Sequence, residues 1–159
     1  MTRKEQYNQL ILQIAGLIKD ETNLVGILAN VSAALHDAFP ERFFWVGFYL
    51  QENGNMLRLG PFQGSVACYV IPFGKGVCGK AWEEGCTLIV PDVEKFPGHI
   101  ACSSLSRSEI VVPMYDDSHT FRGVLDIDST RLNDFNEDDK EGLERIVELL
   151  MAETQDLFQ

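Results

Sequence analysis

The period of the apolar residues changes at Pro40, and that switch limits what this chain can fold into. Before it, Leu10, Ile11, Ile14, Leu17 and Ile18 share one helical face within residues 3–20. Ile27, Leu28, Val31 and Leu35 do the same within Leu24–Phe39. Pro40 ends the second helix, because the residue before a proline is pushed out of the helical region. After it, Phe44, Val46, Phe48 and Leu50 alternate with Trp45, Gly47 and Tyr49, so RFFWVGFYL reads as a strand. One strand face is aliphatic and aromatic core. The other sets two large rings on either side of a glycine; either both faces are simply buried, or a hollow is left between the rings.

The strands then continue. Glu52-Asn53-Gly54-Asn55 reads as a hairpin turn, since asparagine and glycine accept positive φ at low cost. MLRLGPFQ and SVACYVIP read as the next two strands, the second carrying Cys68. Phe73–Lys80 is a glycine-rich connection into a short helix around Cys78–Glu83 that stops at Gly85, and TLIV is a short buried strand with Cys86 at its start. Pro91–Ser106 has no periodicity, and a connection of that length in a compact domain is usually functional. SEIVVPMYD and FRGVLDIDS are two more strands, joined by the turn Asp116–Thr120. Asn136 caps a last helix whose first turn, Glu137, Asp138 and Asp139, suits the positive end of its dipole. Leu143, Ile146, Val147, Leu150 and Met151 are its buried stripe.

Short turns between strands imply antiparallel pairing, and helices at both ends of the chain can cover one face of the sheet. The expectation is an α+β domain of five or six strands. Its other face is left to the connections 72–86 and 91–107, both of which carry cysteine, so a pocket beneath them is lined by thiols. The chain's 159 residues fit one domain, and 45% hydrophobic content supplies a core without staples. The net charge, 13 − 24 = −11, argues against nucleic acid and an anionic membrane as partners. No apolar stretch approaches the length of a bilayer span, and MTRKEQYNQL has no signal-peptide pattern. A cytoplasmic chain is therefore expected, with cysteines that are reactive, metal-bound or buried rather than structurally cross-linked.

The cysteines at 68, 78, 86 and 102 are separated by 10, 8 and 16 residues, so none forms the C-x-x-C pair of a thioredoxin-type dithiol. Cys78, Cys86, His99 and Cys102 offer a zinc set. Zinc knuckles bring two ligands per short hairpin, however, and here only His99 and Cys102 are close, so no metal is expected. A redox site needs one thiolate that attacks and a second thiol that reaches the resulting sulfenic acid. Cys102 is the candidate nucleophile: it lies in a polar loop after Gly98-His99, with Arg107 and several hydroxyls close in sequence to lower its pKa. Cys68 and Cys78 are both candidates to resolve it, while Cys86 reads as a small buried apolar residue.

Glu109 follows Cys102 by seven residues, and Asp126 and Asp128 point to one sheet face, opposite Leu125 and Ile127. Two carboxylates on an otherwise apolar strand are costly unless they bind something. One can hold the other protonated and so supply a general acid. The plainer alternative is that this face meets water or a helix N-terminus at the strand end.

The segments FWVGFYL (44–50), LGPFQGSVAC (59–68), IPFGKGVCGKA (71–81), PGHIACSSLSRSEIVVP (97–113) and GVLDIDS (123–129) resemble the free methionine-(R)-sulfoxide reductases, small enzymes built from one GAF domain. The likeness runs from about Phe43 to Leu150. A GVLDID-like strand belongs to GAF domains in general; the cysteines in A-C, G-V-C-G and G-H-I-A-C contexts, with S-E-I, mark the reductase branch. The resemblance implies a single GAF domain over residues 1–159, with its core at about 20–152. Its six-stranded antiparallel sheet would carry the N- and C-terminal helices on one face and pocket-closing loops on the other. It implies Cys102 as nucleophile, Cys68 and Cys78 as resolving and recycling cysteines in an order left open, Glu109, Asp126 and Asp128 as acidic pocket residues, and Trp45 as the pocket tryptophan. Cys86 has no counterpart.

The activity so implied is reduction of free L-methionine-(R)-sulfoxide by thiolate attack, with a carboxylic acid protonating the departing oxygen and Trp45 and Tyr49 cradling the methyl sulfoxide. An intramolecular disulfide follows, and thioredoxin, supplied indirectly by NADPH, resets it; no bound cofactor is expected. The rival reading is a small-ligand-binding GAF sensor, to which Asn136–Asp139 bears a superficial likeness. A sensor calls for an output domain and has no use for three cysteines around its pocket. The first helix, with Tyr7, Leu10, Ile14 and Leu17, is read as packing either on its own sheet or on a second copy in a homodimer.

Overall fold

A computed structural model describes residues 1–158. Two helices open the chain, α1 (Arg3–Ile18) and α2 (Leu24–Ala38). Six strands follow among the described residues: β1 (Trp45–Glu52), β2 (Met56–Gln63), β3 (Val70–Pro72), β4 (Leu88–Val90), β5 (Ser108–Tyr115) and β6 (Phe121–Ser129). Helix α3 (Gly76–Glu84) stands between β3 and β4, and α4 (Glu137–Thr154) closes the fold. The strands form one antiparallel sheet in the order β3-β2-β1-β6-β5-β4, so the expected α+β architecture is present with six strands. The central pair, β1 and β6, joins distant parts of the chain.

The alternation read along 44–50 sorts the two faces as expected. Val46, Phe48, Ile110, Val112, Leu125 and Ile127 are buried with the apolar stripes of α1, α2 and α4. Trp45, Tyr49, Val111 and Val124 point the other way, into a second cluster with Val77 and Ala81 of α3. Both faces are therefore covered, by helices on one and by α3 with its flanking loops on the other. Of the two readings left open at Gly47, burial is the one found, and the space over it is filled. Phe62 of β2 sits opposite Gly47, a Cβ there would overlap the Phe62 Cβ, and the Phe62 ring stacks on Trp45 at 5.1 Å.

One strand is shorter than the sequence suggests. Of SVACYVIP only Val70–Pro72 pairs, and residues 64–69 form a loop. Val66 and Tyr69 are exposed, so the apolar look of this run does not reflect burial. Gly64, at φ 142°, turns the chain out of β2 against the Trp45 ring. Cys68 is thus a loop residue and not a strand residue.

The acidic start of α4 does more than suit its dipole. Asn136 and Asp139 form a capping box, and Asp139 is fully buried. It accepts hydrogen bonds from Tyr7 Oη at 2.6 Å, Arg3 Nη1 at 2.8 Å and Arg42 Nη2 at 2.9 Å. Arg42 in turn lies over the rings of Phe39, Phe43 and Phe135. The Asn136–Asp139 segment is therefore a structural junction, occupied in tying α1 to α4. Tyr7, Leu10, Ile14 and Ile18 are buried within the chain, and Leu17 is exposed. Asp139→Ala removes the shared acceptor of Tyr7, Arg3 and Arg42 and leaves the Arg42 guanidinium with Asp134 alone, and a fall of about 3 kcal/mol in unfolding free energy is expected by chemical denaturation. No helix among the described residues is long and apolar enough to cross a membrane.

Candidate active site

Strand register builds the floor of the site. Asp128 lies between Trp45 of β1 and Glu109 of β5, and Asp126 lies between Gly47 and Val111. Because side chains alternate along a strand, Trp45, Asp128, Glu109 and Asp126 all stand on the face away from α1, α2 and α4. The first turn of α3 covers them. Its Cys78 is buried, and the Cys78 Sγ, a Glu109 carboxylate oxygen and an Asp126 carboxylate oxygen all lie within 4.8 Å of one another. His99, from the long loop between β4 and β5, brings its Nε2 to 3.9 Å from Glu109 Oε1.

Crowding two buried acids, Glu109 and Asp126, against the half-buried Asp128 sets their protonation. Burial pushes the Glu109 carboxyl well above the usual carboxylate range, and the negative charges of Asp126 and Asp128 push it further. Asp128 is raised well above its ordinary value by burial and then by Asp126. Asp126 is raised by burial too, but contacts with Glu109 and Cys78 and the proximity of His99 oppose the rise. Glu109 and Asp128 are therefore the acids of the cluster that favour the protonated form, and Asp126 is the readiest of the three to ionise. Burial also raises the Cys78 thiol well above its ordinary value, with the three acids adding to it. The imidazole of His99 is shifted the other way, below its ordinary value, by burial. Asp126 Oδ1 is buried without a hydrogen-bond partner.

Two loops form the mouth. Cys68 and Cys102 are joined in a disulfide across it, with their Cα atoms 5.4 Å apart. The 64–69 loop is held from β1: Trp45 Nε1 donates to Ser65 O at 3.0 Å, and Tyr49 Oη donates to Cys68 O at 2.9 Å. Beneath the disulfide is a cavity of about 40 Å³, lined by Cys102, Cys78, the three acids and His99 among others. Cys102 lines it and Cys68 stands outside, although both are partly exposed.

The structure brings together Cys102, Cys68, Cys78, Glu109, Asp126, Asp128, Trp45 and Tyr49 around this one cavity. Two other expectations change. Cys86 is exposed, not buried; it lies in a groove beside Tyr115, between the start of β4 and α4, so it cannot join Cys78, His99 and Cys102 around a metal. Arg107 is exposed and lies outside the cavity lining, so it supplies no charge there. The sequence reading also undervalued two residues. His99 figured only as a metal ligand, yet it lines the cavity. Ile100 closes against Gly76, whose φ of 61° and lack of a side chain let the loop approach α3. Both stand in the PGHIAC segment, so the signal was present.

The GAF domain model matches residues 21–152 of this chain. The chain is 56% identical over 149 residues to GAF domain-containing protein A of Dictyostelium discoideum, covering 94% of this chain and 92% of that protein. It is 43% identical over 155 residues to the free methionine-R-sulfoxide reductase of Saccharomyces cerevisiae, covering 94% and 86%. The X-ray structure of the free methionine-R-sulfoxide reductase from Neisseria meningitidis, in complex with its substrate, superposes with a TM-score of 0.93 at 47% identity, covering 98% of this chain and 92% of that one. A six-stranded sheet with a disulfide poised over a buried acid cluster thus meets sequence identity along nearly its whole length, and the chain belongs to the GAF domain family and, within it, to the free methionine-R-sulfoxide reductases.

Proposed function

We propose that this chain reduces free methionine-(R)-sulfoxide to methionine, with Cys102 as the attacking thiolate. The observation that carries the reading is the Cys68–Cys102 disulfide spanning the mouth of a cavity floored by Glu109, Asp126 and Asp128. A substrate on that floor meets Cys102 before Cys68, because only Cys102 lines the cavity.

The Cys102 sulfur attacks the sulfoxide sulfur while a protonated acid, Glu109 or Asp128, gives its proton to the sulfoxide oxygen. The hydroxyl then passes from the substrate sulfur to the Cys102 sulfur as the new sulfur–sulfur bond breaks, which leaves Cys102 as sulfenic acid and releases methionine reduced. The Cys68 thiol then condenses with the sulfenic acid, releasing water and forming the disulfide. Asp126, as the readiest anion, holds the substrate's α-ammonium, and main-chain N–H groups at the start of α3 suit its α-carboxylate. Trp45 and Tyr49 flank the methyl sulfoxide. A cavity that binds both charged termini refuses a peptide-bound residue, which has neither. Cys78, buried and protonated, is a poor partner for exchange. Thioredoxin acts instead on the partly exposed Cys68–Cys102 bond, and this assigns Cys68 rather than Cys78 as the resolving thiol.

The test is NADPH consumption with thioredoxin and its reductase. Free methionine-(R)-sulfoxide, its (S) epimer and a terminally blocked sulfoxide are supplied in turn. Turnover of the free (R) form alone is expected. A folded, reduced protein that turns over none of the three is instead a ligand-binding GAF domain.

A further inference from the structure

We propose that the floor of the cavity is also a zinc site, formed by Cys78, Glu109 and Asp126 with His99 as an adjoining fourth ligand. Four observations converge on it. The donor atoms of Cys78, Glu109 and Asp126 already lie within 4.8 Å of one another. Ligand atoms in a tetrahedral zinc site stand roughly 3.3–3.8 Å apart, so closing on the ion takes a contraction of about 1 Å. His99, which lines the same cavity, brings its Nε2 to 3.9 Å from Glu109 Oε1. Asp126 Oδ1 is buried with no hydrogen-bond partner, although it lines the cavity. The ligands also come from separate elements, β5, β6, α3 and the long loop, so the fold sets their spacing before any ion arrives.

The donor set selects the metal. A thiolate, an imidazole and carboxylates suit zinc, whereas calcium and magnesium take oxygen alone. On binding, Cys78 gives up its thiol proton and the acids give up theirs, so the ion replaces the protons that otherwise neutralise the cluster. This set differs from the one offered by spacing alone, since it omits Cys86 and Cys102. It also leaves the Cys68–Cys102 pair free, so the oxidised protein retains it. Resting on the function proposed above, a further consequence is that zinc and the substrate's ammonium compete for Asp126, and zinc inhibits turnover.

The metal test uses the oxidised full-length protein carrying Cys86→Ser, so that Cys68, Cys86 and Cys102 offer no free thiol. After incubation with zinc chloride and desalting, about one zinc per chain is expected by atomic absorption. Adding Cys78→Ser or Asp126→Asn should weaken binding at least about tenfold, the scale on which losing even an outer-shell partner is felt. Cobalt(II) in place of zinc should give a thiolate-to-cobalt charge-transfer band, a readout that needs no cavity variant to fold. Failure to retain zinc, unchanged retention in folded Cys78→Ser, or bound cobalt without the thiolate band each overturns the proposal. None of these readouts depends on turnover. A chain that binds zinc through Cys78 but reduces no sulfoxide therefore refutes the proposed activity and leaves the metal site standing.

Discussion

Cys102→Ser should show no measurable reduction of free methionine-(R)-sulfoxide, a loss of at least about 10⁴-fold, the scale on which removing an attacking nucleophile acts. The serine hydroxyl is neither acidic nor polarisable enough to displace oxygen from a sulfoxide. The loss is chemical rather than structural, because Cys102 is partly exposed in a loop and its replacement opens no core cavity. Coupled NADPH oxidation reads the effect, with far-ultraviolet circular dichroism as the check on folding. Cys68→Ser supplies the contrast: its Cys102 still makes one methionine per chain in a single-turnover quench, then stops as sulfenic acid. Wild-type rates in Cys102→Ser would remove the assignment at its root.

Glu109→Gln should lower turnover by about 10²–10³-fold, within the range that a positioned proton donor contributes. The amide keeps the size of the side chain and loses the proton. The direction of the Glu109 shift adds a pH signature. The donor works while protonated and the Cys102 thiolate while ionised, so the Glu109 shift shows on the alkaline limb, where wild-type activity falls as pH rises through the elevated Glu109 value. A larger loss in Asp128→Asn than in Glu109→Gln would move the donor's role to Asp128. Stability follows the same sign. In the unfolded chain Glu109 ionises near its ordinary value, while the folded chain still holds the proton well above it. The fold binds more protons over that interval, so its stability declines as pH rises across it. Denaturant titrations from mildly acidic to mildly alkaline pH should show a shallower decline in Glu109→Gln than in the wild type.

What could be read from the sequence follows a physical line. Period and parity are local, so the strand at 44–50, the face shared by Asp126 and Asp128 and the cap at Asn136 were legible. The two misread cysteines depended on distant partners. SVACYVIP has the composition of a strand, but its first half is held by hydrogen bonds from Trp45 and Tyr49 rather than by a sheet neighbour. Cys86 looks apolar beside TLIV, yet it lies where the chain enters an edge strand, open to solvent. The acid cluster is likewise non-local. Asp126 and Asp128 are neighbours by spacing, but Glu109 joins them only through the β5–β6 register, and Cys78 only through the packing of α3. The pairing of Cys68 with Cys102, which the spacing left open against Cys78, depends on the two mouth loops meeting across the sheet.

The two ring donors on β1 bear on the durability of such a catalyst. Trp45 and Tyr49 hold the backbone that carries Cys68 in the disulfide form, and on the proposed cycle the same two bonds keep that thiol close to Cys102. A tethered thiol competes with bulk oxidants as if it were present at millimolar concentration or more. The sulfenic acid is then captured before peroxide can carry it to the sulfinic state, from which ordinary thiols offer no return. The number of cycles one molecule completes before oxidative death is in that sense set by two hydrogen bonds to a loop backbone.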